Sequence, residues 1–258
     1  MVNAVAAKSS KASLRMDGRL RQIRARLCHV LRGELSRIVM LLCVTVGPAH
    51  AGTKIPVTLE LVLALDSSAS VDAKEFELQN AGIALAFKDP EILKAVDNMR
   101  PFGAAIAVMQ WGAKGETQIV VPFTHIENAR DAKALGFRVG LIRRWMRASA
   151  TSIATGINDA SALIDNNEYE GQRKVIDVSG DGVDNGGIDL DGARVQANRT
   201  GITINGMAIE AEDKKLTNYY ESNVIIGADS FVETANGFED FARAIKEKLL
   251  RELRPLGS

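Results

Sequence analysis

From residue 57 onward, short apolar runs alternate with longer stretches in which apolar residues recur every three or four positions. Val57–Asp66 (VTLELVLALD) starts with period-two alternation and ends almost wholly apolar, which predicts a strand that becomes buried on both faces. Asp72–Lys88 reads as a helix, with Phe76, Ile83 and Phe87 on one stripe and Leu78 and Leu85 beside it. Pro90–Asp97 reads as a short helix opened by its proline. Ala104–Trp111 and Thr117–Phe123 read as strands joined through Gly112-Ala113-Lys114-Gly115, too short a link for anything but an antiparallel hairpin. Pro122 marks the second of them as an edge, because proline has no N–H to give a neighbouring strand.

Helical periodicity continues over Ala129–Arg147, despite Gly136 and Gly140, and over Ile153–Asp165. Lys174–Ser179 (KVIDVS) is a buried strand ending at Gly180-Asp181-Gly182. Asp189–Arg199 is a helix, Ile202–Ile209 a strand, Leu216–Asn223 a short helix and Ser230–Glu233 a short strand. Phe238–Leu253 has the clearest pattern, with Phe238, Phe241, Ala242, Ile245, Leu249 and Leu253 on one core-facing stripe. Strands alternating with helices predict an α/β fold: a doubly wound, mostly parallel open sheet with one antiparallel edge strand and helices on both faces.

Charge changes the picture of the N-terminus. Residues 1–51 carry nine Lys/Arg against two acids, Asp17 and Glu34, which leaves 23 basic and 30 acidic residues in 52–258, a net of −7. The basic stretch leads into Ile38–Val46 (IVMLLCVTV) and then Ala49-His50-Ala51. A basic region, a short apolar run and an A-x-A site predict a secretory signal over 1–51 and a single domain over 52–258, exported to the periplasm or secreted. Met16 offers a second start that would shorten the basic region. A membrane span needs about 20 apolar residues, so this run makes no lasting anchor. The acidic body excludes nucleic acid as a main partner. Cleavage after Ala51 would remove Cys28 and Cys43 and leave His125 as the only histidine, which excludes Cys–His pairs and multi-histidine zinc sites.

Ligands of a doubly wound sheet bind beyond the carboxyl ends of its strands. Three segments deliver oxygen donors there: Asp66-Ser67-Ser68-Ala69-Ser70, Ala150-Thr151-Ser152, and Ser179-Gly180-Asp181-Gly182. Each has an ordinary explanation, since Ser70 or Asp72, and Thr151 or Ser152, are candidate helix caps, and Asp-Gly is a common turn. Together, two carboxylates and three hydroxyls form a hard-oxygen set suited to Mg²⁺, Mn²⁺ or Ca²⁺.

LALDSSASVD, ATSIATGI and VIDVSGDG resemble the three loops of a von Willebrand factor type A (vWA) domain. The resemblance covers about 57–253, and the order of elements fits. It implies a metal-ion-dependent adhesion site (MIDAS) in which Asp66, Ser68 and Ser70 hold a divalent cation, most simply Mg²⁺, with Thr151 and Asp181 as further ligands, directly or through water. Ala69 and Ala150 depart from the glycines usual there, which bears on loop geometry and not on the donor set. QNAGIALAF, VIDVSGDGVDN, ITINGMAI and YYESNVIIGADSFV are similar to a bacterial family of secreted vWA-like proteins with no assigned function.

The function this implies is an extracytoplasmic binding module that takes an acidic group of a partner protein through the cation. A metal-assisted hydrolase, and a scaffold or assembly factor whose metal site is idle or weak, are the alternatives. Gly180–Asn185 starts like G-x-G-x-x-G but ends in Asn, and there is neither a P-loop nor a G-x-S-x-G elbow. Asp181, Asp184, Asp189 and Asp191 miss the EF-hand spacing, and the acids beyond Asp181 read as caps and solvated loop. His125 reads as a surface residue, Trp111 and Trp145 as packing, and Tyr219 and Tyr220 as packing rather than the lining of a ligand surface.

Overall fold

Side-chain alternation along the first strand sets the layers of the molecule. The computed structural model describes residues 53–145 and 150–254. In β1 (Ile55–Asp66) Leu59, Leu61, Leu63 and Leu65 point to one side of the sheet and Val62 and Ala64 to the other, all buried. A strand buried on both faces needs helices on both, and the remaining elements supply them.

The chain continues through α1 (Ala73–Ala86), α2 (Pro90–Asn98), the β2 (Ala104–Trp111) and β3 (Thr117–Ile126) hairpin, α3 (Ala129–Val139) and α4 (Ile153–Asp165). It ends through β4 (Tyr169–Gly180), α5 (Leu190–Arg199), β5 (Ile202–Ile209), α6 (Leu216–Asn223), β6 (Val232–Ala235) and, after a 3₁₀ turn at Phe238–Asp240, α7 (Phe241–Glu252). The six strands form one sheet in the order β3-β2-β1-β4-β5-β6. β2–β3 is its one antiparallel pair, and β3 and β6 are its edges. This is the doubly wound, mostly parallel sheet expected, with Pro122 on an edge.

The Leu59–Leu65 side packs against α1, α2, α3 and α7 through Phe76, Ile83, Ile92, Leu135, Phe241, Ile245 and Leu249. The Val62 side packs against α4, α5 and α6 through Ile153, Ile157, Ala160, Ala193 and Tyr220. Truncating one such leucine to alanine would cost about 2–5 kcal/mol. Trp111 closes the second layer against α4, and it can do so because residue 156 is glycine: a Cβ there would lie 3.0–3.2 Å from the indole.

Several boundaries differ from the expectation. The helix expected over 129–147 ends at Val139, with Gly140 as its cap, and residues 146 and 147 lie outside the described residues. Glycine favours the exit, and the chain beyond it is held by tertiary hydrogen bonds from Asn80 Nδ2 to the Ile142 carbonyl and from Gln110 Nε2 to the Arg143 carbonyl. β6 begins two residues late because Phe231 N–H donates to Asn205 Oδ1. Leu85, expected beside the buried stripe of α1, is 60% exposed, and Trp145, expected in the packing, is 59% exposed. In α7 the buried stripe takes Ala244 and Lys248 and leaves Ala242 half-buried. The secretory leader expected over 1–51 lies outside the described residues.

Candidate metal centre

β1 and β4 are adjacent and parallel, with Leu65 beside Ser179, so the loops that leave their carboxyl ends emerge side by side. Between them and α4 lie all three donor segments. The ordinary explanations for these segments are taken by other residues. Asp72 caps α1 in a reciprocal capping box with Glu75, Ser152 caps α4 by accepting from Thr155 N–H, and Asp189 caps α5. Ser70, Thr151 and Asp181 are therefore left over from helix capping.

Their hydroxyls and carboxylates converge. Ser68 Oγ lies 3.1 Å from Ser70 Oγ and 3.1 Å from Thr151 Oγ1. Ser70 Oγ donates to Asp181 Oδ1 at 2.7 Å, and Ser68 N–H donates to Asp66 Oδ1 at 2.7 Å. Asp66 and Ser68 are fully buried and Thr151 nearly so, while Asp181 is half-buried and Ser70 exposed, so the cluster opens to solvent at one end. All five residues expected as ligands belong to this chain of contacts.

Asp66 is the electrostatic problem of the cluster. Burial pushes its carboxyl up from 3.8 to about 7; the Ser68 backbone and side-chain bonds and Arg144 oppose the shift, and Asp181 adds to it. Burial also raises Asp181, with the Ser70 bond opposing it. Asp66 Oδ2 is buried and has no hydrogen-bond partner among the described residues. A carboxylate oxygen desolvated without a partner is costly, and a cation is the ligand that removes that cost. Among the described residues no group of three or more His, Cys, Asp or Glu side chains is placed to hold a metal, so a cation here depends on the hydroxyls. Two carboxylates and three hydroxyls, all oxygen, fit a hard divalent ion.

Around the cluster stand residues that no sequence motif marks. Arg144 Nη2 donates to the carbonyls of Ser67 at 2.9 Å and Ser68 at 2.7 Å. Gln110 Oε1 accepts from Ser67 Oγ and from Trp145 N–H. Asn185 Oδ1 accepts from Thr151 N–H and Asn185 N–H donates to the Thr151 carbonyl, so the third loop holds the second in both directions. Asp184 Oδ1 accepts from Ala154 N–H at the start of α4, a structural role, as expected of the extra acids. Tyr220 is buried as expected, but its hydroxyl, without a hydrogen-bond partner among the described residues, reaches the site: a Cβ on Gly180 would lie 2.7 Å from it and 2.9 Å from Asp66 Oδ2. Arg144 was hidden inside an expected helix, and a lone Gln or Asn carries no pattern of its own. His125 pairs with Ala105 at the opposite end of the sheet, half-buried, its Nε2 against the Phe102 carbonyl.

The strand order, the antiparallel edge and the three loops beyond β1 and β4 define the vWA fold. Within that fold, the chain belongs to the family described as "Protein of unknown function (DUF1194)", whose model matches residues 56–256. Solved structures agree on the fold. Proximal thread matrix protein 1 from the mussel byssus is 15% identical, with a TM-score of 0.55 over 77% of this chain and 48% of its own. A further structure of that protein has a zinc-occupied MIDAS motif, at 13% identity and a TM-score of 0.54 over 78% of this chain and 50% of its own. The pilus adhesin SpaC from Lactobacillus rhamnosus GG matches at 14% identity and a TM-score of 0.55, over 76% of this chain and 30% of its own. A von Willebrand factor type A protein from Catenulispora acidiphila matches at 18% identity and a TM-score of 0.52, over 77% of this chain and 43% of its own. The chain thus spans half or less of the length of these proteins. No curated protein matches the sequence.

Proposed function

We propose that this protein is an exported, non-enzymatic binding module that captures an acidic group of a partner protein through a divalent cation. Asp66, Ser68, Ser70, Thr151 and Asp181 would hold the ion, most simply Mg²⁺. When bound, it supplies an electrophilic position that an external carboxylate can fill. The observation that carries this reading is the buried Asp66 Oδ2, without a partner among the described residues, at the closed end of five converging oxygen side chains. The mussel protein with its zinc-occupied MIDAS motif and the pilus adhesin, which share the fold, support it.

The protein's own groups have distinct parts. Arg144 fixes the Ser67–Ser68 backbone, Gln110 holds the Ser67 hydroxyl, Asn185 fixes Thr151, and the Gly180 backbone leaves room for the Asp66 carboxylate. Binding is favoured over hydrolysis because His125, the general base that hydrolysis could recruit, sits at the far end of β3. Crosslinking in the native host, with and without chelator, tests the reading. Chelation and Asp66→Ala should each abolish partner capture; capture undiminished by either would move the interaction surface elsewhere.

A further inference from the structure

Exposed large hydrophobic side chains are few in the described residues, and three of them line one groove. Ile119 is 44% exposed, Leu141 65% and Trp145 59%, and with Gln118, Val120, Val121, Arg138, Ile142 and Arg143 they border a cleft of about 470 Å³. Scattered apolar residues are normal on a surface, whereas a grouped set marks a binding surface. One wall is the edge strand β3, which pairs only with β2, so its outer backbone groups have no strand partner among the described residues. Pro122 and the register shift at Val120 interrupt that edge, which leaves Thr117–Ile119 as the regularly paired run able to receive an extended chain.

This groove is wired to the candidate metal centre. Trp145 N–H and Ser67 Oγ both donate to Gln110 Oε1, and Arg144, one residue before Trp145, donates to the Ser67 and Ser68 carbonyls. Thr117 and Gln118 pair with Trp111 and Gln110, so the open run of β3 lies at the metal end of the sheet. Arg138 and Arg143 make the groove basic within an acidic domain, and the Arg143 side chain has no ion pair among the described residues.

We infer that the groove between β3 and the segment Leu141–Trp145 docks an extended, acidic segment of the partner protein whose carboxylate the metal centre takes. The segment lies along Thr117–Ile119, sets an apolar side chain against Trp145, Leu141 and Ile119, and sets acids against Arg138 and Arg143. The charge selects this occupant over a second copy of the chain, because a two-fold pairing of β3 edges would bring each copy's Arg138 and Arg143 near the other's. The inference rests on the metal-dependent reading above and adds the chemistry of the partner.

Site-specific photo-crosslinking in the native host tests it, with p-benzoylphenylalanine placed in the full chain at position 119 or, beside the metal loop, at position 183. The expected result is that both probes capture one other protein. The position-119 adduct maps to a segment bearing acids and an apolar residue, and EDTA and Asp66→Ala both remove it. Trp145→Ala should lower the position-119 yield tenfold or more without changing the melting temperature, since an exposed tryptophan at an interface centre carries binding and not folding. Capture at 183 without capture at 119 overturns the groove and leaves the metal reading standing. Capture at 119 of a second copy, or of residues 1–51, overturns the occupant. Capture at both positions that survives EDTA and Asp66→Ala overturns the metal reading and this inference with it, as does capture at neither.

Discussion

Replacing Asp66 by asparagine separates the electrostatic demand of the site from its packing. The amide keeps the volume and keeps an oxygen for Ser68 N–H, the bond made at 2.7 Å, but removes the charge. In metal-free wild type, burial holds the Asp66 carboxyl at about 7 in the fold, against 3.8 ordinarily. An acid whose folded pKa lies above its unfolded value weakens the fold as pH rises. The penalty is absent below the ordinary value, grows between the two, and is complete above the folded one. A gap of about 3 units corresponds to roughly 4 kcal/mol at pH 8 and to less than half of that at pH 5. In a domain of this size each kcal/mol moves the melting temperature by about 2–4 °C. In EDTA at pH 8, Asp66→Asn should therefore melt about 8–16 °C above wild type, and the gap should shrink to a few degrees at pH 5. Excess Mg²⁺ should raise wild type, by about 1.4 kcal/mol at ten times its dissociation constant, and leave the variant unmoved. Paired melts at the two pH values, with EDTA and with Mg²⁺, measure all of this. A variant less stable than wild type in EDTA at pH 8, or a gap independent of pH, would refute the reasoning.

Lys248→Met should cost about 3–5 kcal/mol in denaturant unfolding at pH 8, because it strands Asp177 and Glu252, both buried, which Lys248 Nζ now meets at 3.1 and 2.9 Å; the cost should shrink as pH falls toward 5, because burial raises the Asp177 carboxyl and favours its uncharged form, and a loss under about 1 kcal/mol at pH 8 would contradict it. Gly180→Ala should lose about 1–3 kcal/mol and most of the Mg²⁺ response, since its Cβ would meet Tyr220 Oη at 2.7 Å and Asp66 Oδ2 at 2.9 Å. Adding Tyr220→Phe should restore part of that stability, and a Gly180→Ala protein with a full Mg²⁺ response would show that the strand end does not shape the site. The exported protein should begin at Gly52 by intact mass, and a stable product retaining residues 38–51 would defeat the leader reading.

The fold was legible because it rests on periodicity. β1, β2, β4 and β5 are apolar runs, the helices carry stripes at helical spacing, and Pro122 named its edge. Legibility failed where tertiary bonds outweigh local preference. The segment after Gly140 has helical composition, but Asn80 and Gln110 capture its carbonyls, and this delivers Arg144 and Trp145 to places no period foretells. Lys248 was hidden for a related reason: on a helix wheel a lysine reads as solvated, and only the fold shows Asp177 and Glu252 waiting for it. For the candidate site, the motifs pointed to the five donors, yet no spacing could tell Ser70 from Asp72, or Thr151 from Ser152, as the helix cap. Backbone geometry makes that distinction, because only Asp72 and Ser152 reach the N–H groups of the following turn.

Calorimetric titration of the purified chain with Mg²⁺, repeated with Mn²⁺, tests most directly whether the three loops build one cation site. The account predicts a single binding event in wild type that weakens at least tenfold in Asp66→Ala and in Asp181→Asn, both variants remaining folded by melting. No binding of either ion to wild type, or equal binding to all three proteins, would contradict it.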